Sequence, residues 1–132
     1  METPRQKSLI LILARELATN LAVPMFVADD EGRLVFFNEP AEQLLGRTLH
    51  ELGELPLEEW RQLLAPTTLD GEPLPADESP IRVAFDRHEP FHNRLRITTF
   101  SGETRAISST ALPLLGRDDE FMGVVVLFWE RD

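Results

Sequence analysis

The chain has 132 residues, of which 42% are hydrophobic and 27% are charged, a composition typical of one globular domain. Its net charge of −10 argues against nucleic acid and anionic membrane surfaces as partners, because like charges repel each other. The absence of cysteine rules out disulfides, a thiolate nucleophile and cysteine-ligated metal. Since the chain shows no long apolar run and no signal-peptide pattern, we expect a cytoplasmic protein.

The first predicted element is an amphipathic helix within residues 1–22, beginning after Ser8, which is a good N-cap residue. Its first half is apolar nearly all round, so the helix needs cover on more than one side. It packs on the outer face of its own sheet or pairs with the same helix of a second chain, and these two interpretations are compatible. The candidate dimer-interface residues are Leu9, Ile12, Leu13, Leu17 and Leu21.

Residues 25–46 predict a β-hairpin that leads into a helix. The hairpin turn is acidic and ends at Gly32, and apolar strand-forming residues flank it on both sides. After Asn38, Pro40 suits the first turn of a helix, and Gly46 suits its end.

The middle of the chain predicts two short helices and a long loop. Residues 57–64 and 80–87 have apolar side chains at helical spacing, whereas residues 66–80 contain four prolines and predict an ordered loop. Long loops of this kind are often functional.

The last third of the chain predicts three strands. From Phe91 the apolar residues recur at every second position, and turns follow near residues 101–103 and 118–119. The final run, residues 122–129, is apolar on both faces, which predicts a strand that is covered on both sides.

Several of these segments resemble the PAS sensor family. The family motif N-x-x-A-x-x-L-x-G is matched by Asn38, Ala41, Leu44 and Gly46. The loop contains a D-G-x-P-L-P segment, and the last strands show the family's G-x-x-R and G-V-V-V-L-F patterns. The resemblance extends over residues 25–130.

This resemblance implies an α+β fold, a five-stranded antiparallel sheet with short helices on one face, preceded by the N-terminal helix. We therefore divide the chain into a helix at residues 1–22, for dimerisation or sheet capping, and a PAS-like domain at residues 23–132. The family's closing R-D-x-T motif is matched only in part, because Glu130 stands at the aspartate position and the threonine is missing.

The resemblance also implies a sensory, signal-transducing function. Such a domain binds a small ligand or a protein partner and relays a conformational change to an output domain or a signalling protein, such as a kinase or phosphatase, as in two-component signalling. A homodimer is expected. The alternative, from a different functional class, is a purely structural homodimerisation module with a solid core and no ligand.

A pocket is expected on the inner surface of the sheet, since small-ligand sites combine apolar walls with a few polar groups. An ordinary packed core, in which Asn38 bonds to the backbone at the strand–helix junction, explains the same pattern equally well. The candidate ligand-binding residues are Phe36, Asn38, Trp60, Phe85, Asn93, Leu95, Ile97, Ile107 and Ser109.

Two cofactors of PAS relatives are disfavoured by the residues present. Light-sensing relatives attach flavin through a cysteine, which this chain lacks. Haem-binding relatives use a histidine early in the helix before the third strand, whereas His88 follows that helix here. A noncovalently bound flavin and another small organic ligand are the alternatives left open.

The segment His88-Glu89-Pro90-Phe91-His92 matches the zinc-protease motif H-E-x-x-H. That chemistry needs a helix through both histidines, and Pro90 interrupts one. We therefore expect two exposed histidines at a turn and strand start, and no metal. Because the chain also lacks a G-x-S-x-G elbow and a glycine-rich phosphate loop, we expect a binding protein rather than an enzyme.

Overall fold

The computed structural model describes residues 11–14, 16–17, 22–46 and 56–130, without the side chains of Leu57, Glu58 and Trp60. Its centre is one antiparallel sheet of five strands, as predicted, and the strand order is β2-β1-β5-β4-β3. The strands are β1 (Met25–Asp29), β2 (Leu34–Phe37), β3 (Phe91–Thr98), β4 (Thr104–Leu115) and β5 (Phe121–Glu130).

Helices precede the sheet and connect β2 to β3. The N-terminal helix, α1, includes residues 11–14 and 16–17. The connecting helices are α2 (Glu39–Leu45), α3 (Leu57–Leu64) and α4 (Pro80–Arg87), with a short 3₁₀ helix at Ala76–Glu78. In the described part of the chain, no helix has both the length and the apolar character that crossing a membrane requires.

The hairpin turn between β1 and β2 is held by the Asp29 side chain. Its Oδ1 accepts hydrogen bonds from the backbone N–H groups of Glu31, at 2.9 Å, and Arg33, at 3.0 Å. The backbone N–H of Gly32 donates to the Asp29 carbonyl at 3.1 Å. This is the local side-chain-to-backbone bonding that makes aspartate frequent in turns, so the sequence signal and the observed turn have the same cause.

A β-bulge interrupts the alternation of inner and outer residues in β2. Phe36 pairs with Val27 of β1, but the next pair joins Leu34 to Ala28, which leaves Val35 as the extra residue. A bulge places two successive side chains on one face. Accordingly, Val35 and Phe36 both pack on the outer face of the sheet, while Phe37 belongs to the inner core.

The close pairing of β1 with β5 depends on Gly123. This residue lies opposite Asp29 and has a φ angle of 152°. A Cβ atom at this position would lie 2.3 Å from the carbonyl oxygen of Ala28. Since real Cβ atoms do not approach an oxygen so closely, glycine is required where the two strands meet.

The proline-rich loop is ordered and covers one edge of the sheet. The backbone N–H of Thr67 donates to the Arg96 carbonyl at 2.9 Å, and that of Arg96 donates to the Thr67 carbonyl at 3.0 Å. An unpaired strand edge invites association with other chains, and this loop satisfies part of the β3 edge. It also carries Leu74 into the core, where the side chain is buried.

The two faces of the sheet are covered by different elements. On the outer face, Leu11 and Ala14 of α1 pack against a small cluster that includes Met25, Val27 and Val125. On the inner face, the connecting helices and the loop close the main core. The strand β5 contributes to both, which confirms that it is covered on two sides.

Candidate ligand-binding cavity

A cavity of about 60 Å³ lies within the inner core, between the sheet and the segments that connect β2 to β3. Four strands, three helices and the proline-rich loop contribute to it, so no single stretch of sequence forms the wall. The residues that line it are Phe26, Leu45, Arg61, Leu64, Pro66, Leu74, Ser79, Pro80, Ile81, Leu95, Ile97, Ile107, Ser109, Val126 and Phe128.

Three polar side chains border this otherwise apolar cavity. Arg61 of α3 donates a hydrogen bond from Nη2 to the Leu74 carbonyl at 3.4 Å, which ties the helix to the loop. Ser79 is the N-cap of α4, and its Oγ accepts a hydrogen bond from the backbone N–H of Arg82 at 3.4 Å. Both side chains therefore help to hold the wall in place.

Ser109 differs from the other two polar groups. It lies in the middle of β4, opposite Asn93 of β3 and Phe128 of β5, and is 6% exposed. Among the described residues, none forms a hydrogen bond with its hydroxyl group. The hydroxyl faces the cavity, so a bound molecule that has a polar group gains a hydrogen bond there.

Four of the nine candidate residues from the sequence lie together around this cavity. Along β3 and β4, Leu95 lies directly opposite Ile107, and Ile97 and Ser109 each lie two residues from that pair on the same face. The inward direction of these side chains could be predicted from the alternation of residues, because both strands run without a bulge through this region.

Asn38 lies outside the cavity and organises the backbone between β2 and α2. Its Oδ1 accepts hydrogen bonds from the N–H groups of Met25, at 3.0 Å, and Ala41, at 3.1 Å. Its Nδ2 donates to the Val23 carbonyl at 2.9 Å. Because both ends of the amide are engaged, this buried residue acts as a helix cap and strand clamp, as the packed-core interpretation expects.

Asn93 also bonds to the backbone rather than lining the cavity. Its Nδ2 donates to the Glu78 carbonyl at 2.8 Å, and its Oδ1 accepts from the N–H of Arg94 at 2.8 Å. These bonds attach the 3₁₀ helix to the edge of β3. The side chain is partly exposed and does not belong to the lining of the cavity.

The three aromatic candidates have different positions. Phe36 faces the outer side of the sheet because of the bulge in β2, so its prediction as an inner residue was wrong. Phe85 packs at the border of the inner core, with its ring edge-on to Phe121 at 5.4 Å, and does not line the cavity. The side chain of Trp60 lies outside the described residues.

Sequence reasoning missed most of the cavity wall. Phe26 and Phe128 contribute a tilted ring pair, with centroids 5.6 Å apart, from β1 and β5. Both belong to apolar strands in which no pattern separates a cavity-lining residue from a core residue. Leu74 comes from the proline-rich loop, where a single leucine gave no periodic signal.

The two histidines of the H-E-x-x-H match are held in different structures. Helix α4 ends at Arg87, and His88 takes a left-handed conformation as its C-cap, with its ring stacked on Phe121 at 4.1 Å. His92 belongs to β3, where its Nδ1 and the Thr110 Oγ1 are 2.6 Å apart. The prediction that no helix passes through both histidines is confirmed.

The predicted dimer residues are described in part. Ile12, Leu13 and Leu17 are 51%, 59% and 56% exposed, on the side of α1 that faces away from the sheet. Leu9 and Leu21 lie outside the described residues. The same helix therefore packs on its own sheet through one side and presents an apolar surface on the other.

The fold and the sequence together identify the family. A family model described as the PAS fold matches residues 18–131. The chain belongs to the PAS fold family. A comparison with curated proteins gave no match.

Solved PAS structures resemble this chain in fold. A PAS domain from Colwellia psychrerythraea has a TM-score of 0.65 at 17% identity, covering 92% of this chain and 97% of that one. The LOV protein of Rhodobacter sphaeroides has a TM-score of 0.74 at 20% identity, covering 93% of this chain and 68% of that one. A PAS domain from a two-component sensor histidine kinase has a TM-score of 0.59 at 14% identity, covering 96% of this chain and 100% of that one.

The size of the cavity limits which cofactor this PAS domain accommodates. Pockets for drug-sized and cofactor-sized ligands have volumes of about 300–1,000 Å³, several times the value found here. The described residues therefore do not fit a flavin or a haem in this conformation.

Proposed function

We propose that this PAS domain is a non-enzymatic, cytoplasmic sensory module that binds a small molecule in the inner cavity and relays its occupancy through β5. The observation that carries the proposal is the double contact of that strand. Val126 and Phe128 line the cavity, whereas the alternating residues Val125 and Leu127 belong to the outer cluster that α1 covers. A change in the cavity has a direct mechanical route to the N-terminal helix.

The relay is thermodynamic as well as mechanical. A ligand shifts an equilibrium between two arrangements only by the difference between its affinities for them. The cavity wall includes the loop residue Leu74 and the strand residue Phe128, so a molecule that enters acts on both. We propose that the two arrangements differ in how α1 lies on β5.

We further propose that the signalling unit is a homodimer formed through α1. Three exposed apolar side chains on one helix, Ile12, Leu13 and Leu17, support this, because partner helices are the usual cover for such a surface. A similar PAS domain belongs to a two-component sensor histidine kinase, which supports a kinase or phosphatase as the output partner.

Native mass spectrometry of the full chain, with an absorbance spectrum of the same sample, tests this proposal. We expect a dimer that carries additional noncovalent mass. A dimer of bare chains, unchanged by any added small molecule, would support the structural dimerisation module instead. A bare monomer at all concentrations would contradict the role given to α1.

Paired substitutions separate dimerisation from ligand binding. Replacing both Leu13 and Leu17 by glutamate places charges on the exposed side of α1, so we expect monomers that still bind the ligand. The matched control is Leu63→Glu, because Leu63 is 48% exposed on α3. That variant should remain dimeric, and loss of the dimer in both variants would point to a general effect of charge.

A further inference from the structure

Resting on the proposed function, the structure points to the chemical class of the ligand. We propose that the cavity binds a small uncharged molecule of about four non-hydrogen atoms, mostly apolar, whose single polar group bonds to the hydroxyl of Ser109. Short-chain alcohols and ketones have this chemistry.

Size is the first argument. An engineered cavity of about 150 Å³ holds benzene, and a single water molecule needs about 10–15 Å³ of cavity volume. A volume of about 60 Å³ therefore suits three to five non-hydrogen atoms and excludes an aromatic ring without rearrangement. A molecule of this size binds no more tightly than tens of micromolar, since about 1.5 kcal/mol per atom is the upper limit.

The hydroxyl of Ser109 is the second argument. The side chain is 6% exposed, it faces the cavity, and no described residue hydrogen-bonds with it. A ligand with one donor or acceptor satisfies this group, while the rest of its surface contacts Ile97, Ile107 and Phe128. Water is a poorer occupant, because it needs two to four polar partners.

The charge of the ligand is the third argument. Arg61 is the only charged residue among the described residues that line the cavity, its Nη2 donates to the Leu74 carbonyl, and the remaining wall is predominantly aliphatic and aromatic. Transfer of a carboxylate into such surroundings is costly unless several donors converge on it. The cavity therefore favours an uncharged molecule over an anion of equal size.

The test is a titration of the full chain followed by methyl NMR, with 2-propanol as the neutral probe and propionate as the anionic probe of similar size. The methyl groups of Ile97 and Ile107 report on the cavity, and those of Val125 and Leu127 report on the outer face. We expect saturable shifts of the cavity methyls with 2-propanol, and any shifts of the outer methyls that follow the same saturation curve report the relay through β5. Shifts that grow linearly with 2-propanol on both faces would indicate a solvent effect and overturn the proposal, as would stronger binding of propionate.

A pair of adjacent serines supplies the matched variants. Ser108 and Ser109 have the same exposure, 6%, but point to opposite faces of β4. We expect Ser109→Ala to weaken 2-propanol binding about 5- to 10-fold, the usual effect of one hydrogen bond, and Ser108→Ala to leave it unchanged. Cyclopropane, which has no polar group, should bind wild type and Ser109→Ala equally. Equal 2-propanol affinity in both serine variants would overturn the proposal.

The NMR titrations also distinguish failure of the proposed ligand class from failure of the proposed sensory function. If 2-propanol fails to bind but a molecule retained in the purified chain shifts the Ile97 and Ile107 methyls, the ligand class is wrong and the sensory function stands. If neither the probes nor any retained molecule affects these methyls, both proposals fall.

Discussion

The two faces of the sheet in this PAS domain use the same strands but are packed differently. On the outer face, small aliphatic side chains from β1 and β5 meet α1 in a cluster with Met25 and Val27 fully buried. On the inner face, larger side chains from three helices and a loop surround a cavity of about 60 Å³. Straight elements pack closely, whereas several short segments that converge from different directions leave a gap.

The two faces also differ in the surroundings of their buried polar side chains. The inner face holds two buried serines at the cavity, Ser79 and Ser109, and the clamp Asn38 lies at the end of the sheet. The outer face also holds a buried serine, Ser108 of β4, so the two faces differ in the cavity rather than in the presence of buried polar groups. We therefore expect substitutions on the two faces to affect stability and ligand binding in different proportions.

The largest expected loss of stability comes from separating β1 from β5, because both strands contribute to both faces of the sheet. Gly123→Ala places a Cβ atom 2.3 Å from the Ala28 carbonyl oxygen, at a φ angle that side chains avoid. We expect a loss of about 4 kcal/mol in the free energy of unfolding, measured by urea denaturation. Gly71→Ala is the control: it has a positive φ angle but nothing within 4 Å, and should cost about 1 kcal/mol. Equal costs would show that β1 and β5 separate easily.

The next effect concerns the two asparagines. Asn38→Ala removes three hydrogen bonds from a buried junction, so we expect a loss of about 3 kcal/mol in unfolding free energy. Asn93→Ala removes two bonds from a partly exposed site and should cost about 1 kcal/mol. Neither residue lines the cavity, and ligand affinity measured on the folded variants should not change. A large affinity loss in either variant would contradict these assignments.

Substitution of two adjacent valines of β5 compares the packing of the two faces directly. Val125→Ala leaves a cavity in the outer cluster and should lower the free energy of unfolding by about 2.5 kcal/mol. Val126→Ala should cost about 1 kcal/mol less, because its side chain already borders empty space and has fewer contacts to lose. Denaturation of both variants by the same method tests this. An equal or reversed order would mean that the inner face is as closely packed as the outer one.

The smallest effects distinguish the two sides of α1. Leu11→Ala removes a side chain that packs on the outer cluster, and we expect a loss of about 1–2 kcal/mol in unfolding free energy. Leu13→Ala, at a position that is 59% exposed, should change the stability of the monomer by less than about 0.5 kcal/mol. Measurements at low protein concentration avoid any contribution from association. A larger effect at Leu13 would show that this side is covered within the monomer.

Local sequence by itself determined the elements of this protein. The turn at Asp29, the cap residues of α2 and the alternation in β3 and β4 each depend on interactions within a few residues or on one strict period. These signals do not need the rest of the chain, because hydrogen bonds of turns and caps form locally. The four helices, the five strands and four of the cavity residues could therefore be predicted.

Tertiary structure decided how the cavity is completed. The bulge at Val35 turned Phe36 to the outer face, and the loop brought Leu74 into the wall. The volume of the cavity depends on how side chains from eight different segments fill one space, and no sequence pattern predicts the result. Asn38 and Ser109 are both buried polar residues of the sheet region. Only the three-dimensional arrangement shows that one is fully bonded to the backbone and the other faces the cavity.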